Sequence, residues 1–276
     1  MAYSNVAIVV SVISVLSRLQ IIKCSGNSGG THDQFAIRPP IVLLPGLMSS
    51  RLMAWKYKSC TGADININDV VWMNLQKVIE TITIDSRCWL DCLKLHKNGS
   101  DPESCKLRAD QGLGAISDLS PGNLYTPPAT TVFTAFIKYL SHNFGYDVNN
   151  LISMPYDWRL APLHLEERDS FLSELKLKLE EVVRRQKRPA ILIAHSMGNN
   201  VFMYFLEWMR HHKGVEEADR WMDRHIWTFV GISAPLLGAP GALRSVVSGN
   251  TMGLPISESQ AREIEVTFPS THLCFP

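Results

Sequence analysis

The sequence predicts an α/β fold built around a mostly parallel sheet, and three observations predict it. Short apolar runs bounded by chain breakers occur at Ile41 to Leu44, Ala190 to Ala194 and Ile226 to Ile232, the pattern of strands buried on both faces. Segments of helical spacing fall between them. From residue 131 onward the two patterns alternate, which fits parallel strands joined by crossover helices.

Taken in order, Val6 to Leu16 is apolar except for Ser11 and Ser14, and Arg18 closes it. About 20 apolar residues are needed to span a bilayer, so this run reads as the h-region of a secretory signal, with Ser25, Gly26 and Ser28 as cleavage context. An uncleaved anchor or a plain buried element stay open, because no Lys or Arg precedes residue 18; residues 1–26 are assigned as signal peptide or anchor. A Ser/Gly-rich linker, Ser25 to Gly30, follows. The first strand, Ile41 to Leu44, lies between Arg38-Pro39-Pro40 and Pro45-Gly46. Residues from about 48 to 130 break the rhythm, hold three Trp and four Cys, and read as a cap insertion. Thr131 to Phe144 carries Val132, Phe133, Phe136, Ile137 and Leu140 at helical spacing, with Gly145 placed as a C′ residue. Leu151 to Met154 is a weaker strand. Glu166 to Arg188 reads as one helix with an acidic first turn and a basic last turn, matching the helix dipole. Met197 to His212 is helical again, ending at Lys213-Gly214. Beyond Ile232, Gly238-Ala239-Pro240-Gly241 and Pro255 read as loop and short helix.

Composition limits the function. Of 276 residues, 46% are hydrophobic and 19% charged, which excludes wholesale disorder. Lys+Arg of 27 against Asp+Glu of 26 gives a net +1, so no general electrostatic attraction to nucleic acid is expected. The six cysteines are Cys24, Cys60, Cys88, Cys92, Cys105 and Cys274. No C-x-x-C pair occurs, so neither zinc nor another metal or cofactor is expected. Six reduced thiols are one reading; one or two disulfides among Cys60, Cys88, Cys92 and Cys105 are the other. Asn98-Gly99-Ser100 is a glycosylation acceptor triplet, in agreement with a secretory, endoplasmic-reticulum or membrane-associated location.

The chemistry centres on Ala194-His195-Ser196-Met197-Gly198, which follows a buried strand and opens a helix. A nucleophile elbow needs that context and small residues two positions either side of the serine, here Ala194 and Gly198. Ser196 is therefore the expected nucleophile. Met197 N–H and, from the turn after the first strand, Leu47 N–H are the expected oxyanion donors. A residue directly before the elbow serine points elsewhere, so His195 is expected to pack or to bond at second remove, not to act as base.

IVLLPGLMSSRLMAW, PYDWRLAP, AHSMGNNVFMYFLEW and APLLGAPGALRSVVSG with the following MGLPISE resemble the lecithin:cholesterol acyltransferase family of α/β-hydrolases, from residue 40 to about 260. The resemblance implies an α/β-hydrolase domain over 40–276 that moves a fatty acyl chain from a phospholipid to a sterol through an acyl-serine. It implies a membrane-contacting cap closed by a Cys60–Cys88 disulfide, with Cys92–Cys105 as the second pair. Trp55, Trp72 and Trp89 then become candidates for lipid contact, core packing of the cap being the alternative for each. The family's acid and histidine follow further strands, and no carboxylate or histidine between Glu207 and His272 has such a position. The expectation is thus an N-terminal part of such an enzyme, its C-terminal part missing, inactive alone and poorly soluble or partner-dependent through an unpaired strand edge. A phospholipase of the same family and a catalytically dead lipid- or protein-binding module are the other two readings.

Overall fold

The computed structural model describes residues 38–61, 64–121, 130–251 and 254–276. The apolar run Val6 to Leu16, Cys24, the residues Ser25, Gly26 and Ser28 and the linker to Gly30 lie outside the described residues. In chain order the elements are β1 (Ile41–Leu44), β2 (Leu52–Ala54), β3 (Val70–Trp72), α1 (Leu75–Leu93), β4 (Leu107–Ala109), α2 (Gly114–Ser117), α3 (Thr134–Phe144) and β5 (Leu151–Ser153). They continue with α4 (Pro162–Asp169), α5 (Phe171–Gln186), β6 (Ala190–His195), α6 (Gly198–Lys213), α7 (Val215–His225), β7 (Ile226–Ile232), α8 (Pro240–Val247), α9 (Glu258–Glu265) and α10 (Pro269–Leu273).

The main sheet has the order β5-β1-β6-β7 and is parallel throughout. Its centre is β1, whose four residues are fully buried. Val42 and Leu44 join the core on one face and Ile41 and Leu43 the core on the other, as the two-residue period of a strand demands. Phe202, Phe205 and Met209 of α6 and Leu172, Leu175 and Leu179 of α5 cover the first face. Phe133 and Leu140 cover the second. Among the described residues β7 pairs only with β6 and forms one edge.

A second sheet, β3-β2-β4, is antiparallel and occupies the irregular stretch. Cys60–Cys88 and Cys92–Cys105 are both disulfides, with Cα separations of 5.8 and 5.2 Å. The reduced-thiol reading fails for these four cysteines.

Two helices differ from expectation. The helix read as Glu166 to Arg188 is two, α4 and α5, because Ser170 adopts a left-handed φ of 54°. Glu166 closes α4 instead of opening a helix. Its carboxylate accepts from Leu172 N–H at 2.8 Å and Ser173 N–H at 3.0 Å, satisfying donors at the start of α5. The helix read from Thr131 begins at Thr134, since Thr131 forms a bridge with Asp118. Gly145 does cap it, with φ 65° and its N–H on Ser141 O.

Candidate active site

Ser196 occupies the turn between β6 and α6 with φ at 51°, a left-handed conformation that an L-residue with a side chain adopts only when its surroundings enforce it. Its own N–H donates to Ile232 O of β7 at 2.9 Å. Its carbonyl accepts from Asn199 N–H at 3.0 Å and from Asn199 Nδ2 at 2.8 Å. The Asn199 amide also reaches Ile232 O at 3.3 Å. Asn199 is fully buried and so clamps the elbow to the neighbouring strand.

Close packing explains the small residues. A Cβ on Gly198 would lie 2.5 Å from Pro45 O and 2.8 Å from Leu44 O, both backbone atoms at the end of β1. One on Gly46 would lie 2.8 Å from Ser196 Cβ and 3.0 Å from His195 O. The turn after β1 is therefore pressed against the serine, and Leu47 is the next residue, about 3.8 Å on by Cα spacing. Among the described residues neither Leu47 N–H nor Met197 N–H donates to another protein group. Ser196 also stands at the N-terminus of the 16-residue α6, where the helix dipole favours negative charge.

His195 faces away. Its ring meets Phe133 edge-on at 6.2 Å, Nδ1 is buried without a hydrogen-bond partner, and burial pushes its pKa below the ordinary histidine value. Among the described residues no histidine ring or carboxylate is hydrogen-bonded to the Ser196 hydroxyl.

The segment Pro155-Tyr156-Asp157-Trp158-Arg159, read above only as a family signature, holds the turn after β1 in place. Tyr156 donates its hydroxyl to Pro45 O at 2.8 Å, and Trp158 Nε1 donates to Ser50 O at 3.1 Å. Burial raises the Tyr156 phenol well above its ordinary range, so it stays a donor. Asp157 and Arg159 are fully buried and paired through two contacts, Nε to Oδ1 at 2.9 Å and Nη2 to Oδ2 at 2.6 Å. Arg159 further donates to Leu93 O at 3.2 Å and meets Asp101 at 3.1 Å, while Arg168 meets Asp157 at 2.6 Å. The cluster joins the end of α1, the Cys92–Cys105 loop and α4. Its guanidinium groups hold the Asp157 carboxyl far below the usual carboxylate range against the opposing effect of burial. Tyr156, Trp158 and Asn199 were not singled out from the sequence; each lies inside a quoted motif, but tertiary contacts alone assign their tasks.

Of the three tryptophans, the structure exposes one. Trp55 is 55% exposed, while Trp72 and Trp89 are 4% and 2% exposed. The last two belong to the core shared with Val42 and Leu44 of β1, not to the surface. Trp72 packs edge-on against Trp158 at 5.0 Å, and each indole N–H finds a carbonyl, Met48 O for Trp72 and Val71 O for Trp89. Exposed Tyr57 and Ile67 accompany Trp55.

A parallel sheet carrying a serine on a tight strand-to-helix turn defines a protein of the α/β-hydrolase class. The chain belongs to the lecithin:cholesterol acyltransferase family, whose model matches residues 67–276. It is 40% identical over 238 residues to phospholipid–sterol O-acyltransferase of Arabidopsis thaliana, covering 85% of this chain and 37% of that protein. It is 34% identical over 211 residues to phospholipid:diacylglycerol acyltransferase of Schizosaccharomyces pombe, covering 76% of this chain and 32% of the relative. The human lysosomal phospholipase A and acyltransferase is 28% identical over 252 residues, covering 86% and 57%. The chain thus spans between about a third and just over half the length of these relatives.

Proposed function

We propose that this chain carries the nucleophile of a phospholipid acyltransferase, with Ser196 as nucleophile and Leu47 N–H and Met197 N–H as oxyanion donors. The strained serine between β6 and α6, pressed against the β1 turn, carries the reading. In the first half-reaction Ser196 Oγ attacks an ester carbonyl of a glycerophospholipid. The Oγ–C bond forms, the C–O bond to glycerol breaks, and the serine proton passes through a base to the departing glycerol oxygen. In the second, an acceptor hydroxyl attacks the acyl-serine and restores Ser196. The acceptor proposed is a sterol, on the strength of the 40% identity to the sterol-acylating relative.

Exposed Trp55, Tyr57 and Ile67 near Cys60 support contact with a membrane surface, where aromatic side chains suit a wet–apolar boundary. Two disulfides support an oxidising compartment, with the protein in the secretory pathway, endoplasmic reticulum or membrane-associated. A signal or anchor at residues 1–26 and a cap at about 48–130 belong to the same proposal.

The test uses the protein produced in its own cells, given vesicles of acyl-labelled phospholipid with and without sterol. Labelled sterol ester is expected, together with an acyl adduct on the Ser196 peptide, and Ser196→Ala is expected to lower the rate by more than about 10³-fold. Free fatty acid regardless of sterol would move the protein to the hydrolases. Product formation indifferent to Ser196→Ala would overturn the site itself.

A further inference from the structure

We infer that Asn98 is an N-glycan acceptor whose turn is pre-shaped for transfer; this rests on the oxidising-compartment reading just proposed. The triplet Asn98-Gly99-Ser100 is the one Asn-x-Ser/Thr sequence in the 276 residues, so the inference concerns a single position. Sequence alone makes any such triplet a weak signal. Its local structure makes this one specific.

The turn is closed by Gly99 N–H on His96 O and by His96 N–H on Ser100 O, both at 2.9 Å. Gly99 has φ at 75°, and a Cβ there would meet the His164 ring at 3.0 Å. Glycine is needed both for the dihedral and for the close approach to α4. Asn98 is exposed at the tip. Ser100 donates twice to Asn98 Oδ1, from its backbone N–H at 3.1 Å and from its hydroxyl at 2.7 Å. A backbone N–H can only donate, so the atom facing it is the amide oxygen and the free atom is the nitrogen. Among the described residues Nδ2 has no hydrogen-bond partner. Two donors on Oδ1 make the Nδ2 protons more acidic and stabilise the negative oxygen of the imidate that forms as a base removes one of them, which frees the nitrogen to attack. The hydroxyl demanded by the acceptor rule is thus already in place.

Every hydrogen bond that shapes the tip lies within residues 96–100, so the acceptor forms without waiting for the rest of the chain. The co-substrate is an oligosaccharide linked through its C1 to a polyprenyl diphosphate. In the transfer Nδ2 bonds to C1 and the C1–O bond to the diphosphate breaks. The polyprenyl diphosphate leaves as the anion, and one Nδ2 proton goes to a base of the transferase. No oxidation or reduction occurs.

The experiment translates the whole chain in the presence of endoplasmic-reticulum microsomes, once with its own N-terminus and once with an appended cleavable signal. Protease protection reports import, and peptide-N-glycosidase reports the glycan. One glycosidase-sensitive mass step is expected on imported chains, kept by Ser100→Thr and lost in Asn98→Gln and Ser100→Ala. Imported, protected chains without that step would overturn the inference. Glycosylation confined to the signal-bearing chain would support the acceptor and instead overturn the compartment reading.

Discussion

Ser196, the proposed nucleophile, and Gly198 are each constrained through their own backbone. A left-handed φ of 51° at Ser196 costs on the order of 1 kcal/mol, which glycine would avoid. Ser196→Gly is therefore expected to raise the urea midpoint while removing the acyl adduct. Gly198 behaves oppositely. Alanine there would gain helix propensity, at most about 1 kcal/mol, but its Cβ would stand 2.5 Å from Pro45 O. Backbone cannot retreat as a side-chain tip can, and overpacking costs about 1–3 kcal/mol. Gly198→Ala should lower stability, and the same denaturation series checks the sign; an unchanged or raised midpoint would show that the β1 turn gives way.

At the scale of elements, the Cys92–Cys105 bridge closes a loop of 13 residues, for which chain entropy gives about 3 kcal/mol. The double variant Cys92→Ser/Cys105→Ser should lose about that much by urea titration under oxidising conditions. This loop also carries Asp101, and the residues at its start, Cys92 and Leu93, supply carbonyls to Arg159. How legible these elements were in the sequence depended on how their residues are buried. β1 and β7 match the apolar runs residue for residue, and β6 extends its run by His195; β1 and β6 are buried on both faces, which leaves uninterrupted apolar runs, whereas β7 is mostly half-buried and exposes Trp227. The elbow was legible for a related reason: the small residue at Gly198 records backbone contacts that admit nothing larger. α7 was missed although Ala218, Trp221 and Met222 recur at helical spacing on its packed face; its seven charged and histidine residues obscured that stripe. The break at Ser170 was hidden because a left-handed serine leaves no compositional trace, and the repeat continues in step on both sides. The depth of Trp72 and Trp89 was likewise unreadable: both rest on Trp158 or on each other, and such contacts are set by the fold.

For the whole molecule, the buried Asp157–Arg159–Arg168 cluster ties the end of α1 and the Cys92–Cys105 loop to the segment after β5, and it gives stability a pH signature. Asp157 has its folded pKa depressed by the two guanidinium groups. Its contribution is complete above the unfolded carboxylate value, about 3.9, and is lost as pH falls through the folded value. His195, depressed by burial alone, contributes stability above about pH 6.5 that declines as pH falls below it. Chemical denaturation of the wild-type chain should therefore weaken first below about pH 6.5 and again below about pH 4. Asp157→Asn shrinks the second decline, to which Glu180 with its depressed pKa also contributes, and costs about 3–5 kcal/mol at pH 7, because it strands buried guanidinium charge. Equal stability of the variant at pH 7 would mean that Asp101 and Asp169 alone suffice for both arginines.

The sheet order has a consequence for the chain as it leaves the ribosome. Ile41 of the central strand pairs with Leu151 on one side and Ile191 on the other, so β1 emerges long before either neighbour exists. At about 5–20 residues per second, some 110 residues of synthesis separate it from β5, the earlier of the two, on the order of ten seconds. Throughout that interval four consecutive apolar residues have no sheet to join, a demand for a chaperone. The antiparallel sheet is different: β2, β3 and β4 and all four bridged cysteines lie between residues 52 and 109. Both bridges are thus expected to close while β1 still waits. Nascent chains arrested near residue 150 in an oxidising lumen should show both disulfides by non-reducing peptide mapping, with the segment around Ile41 still open to protease.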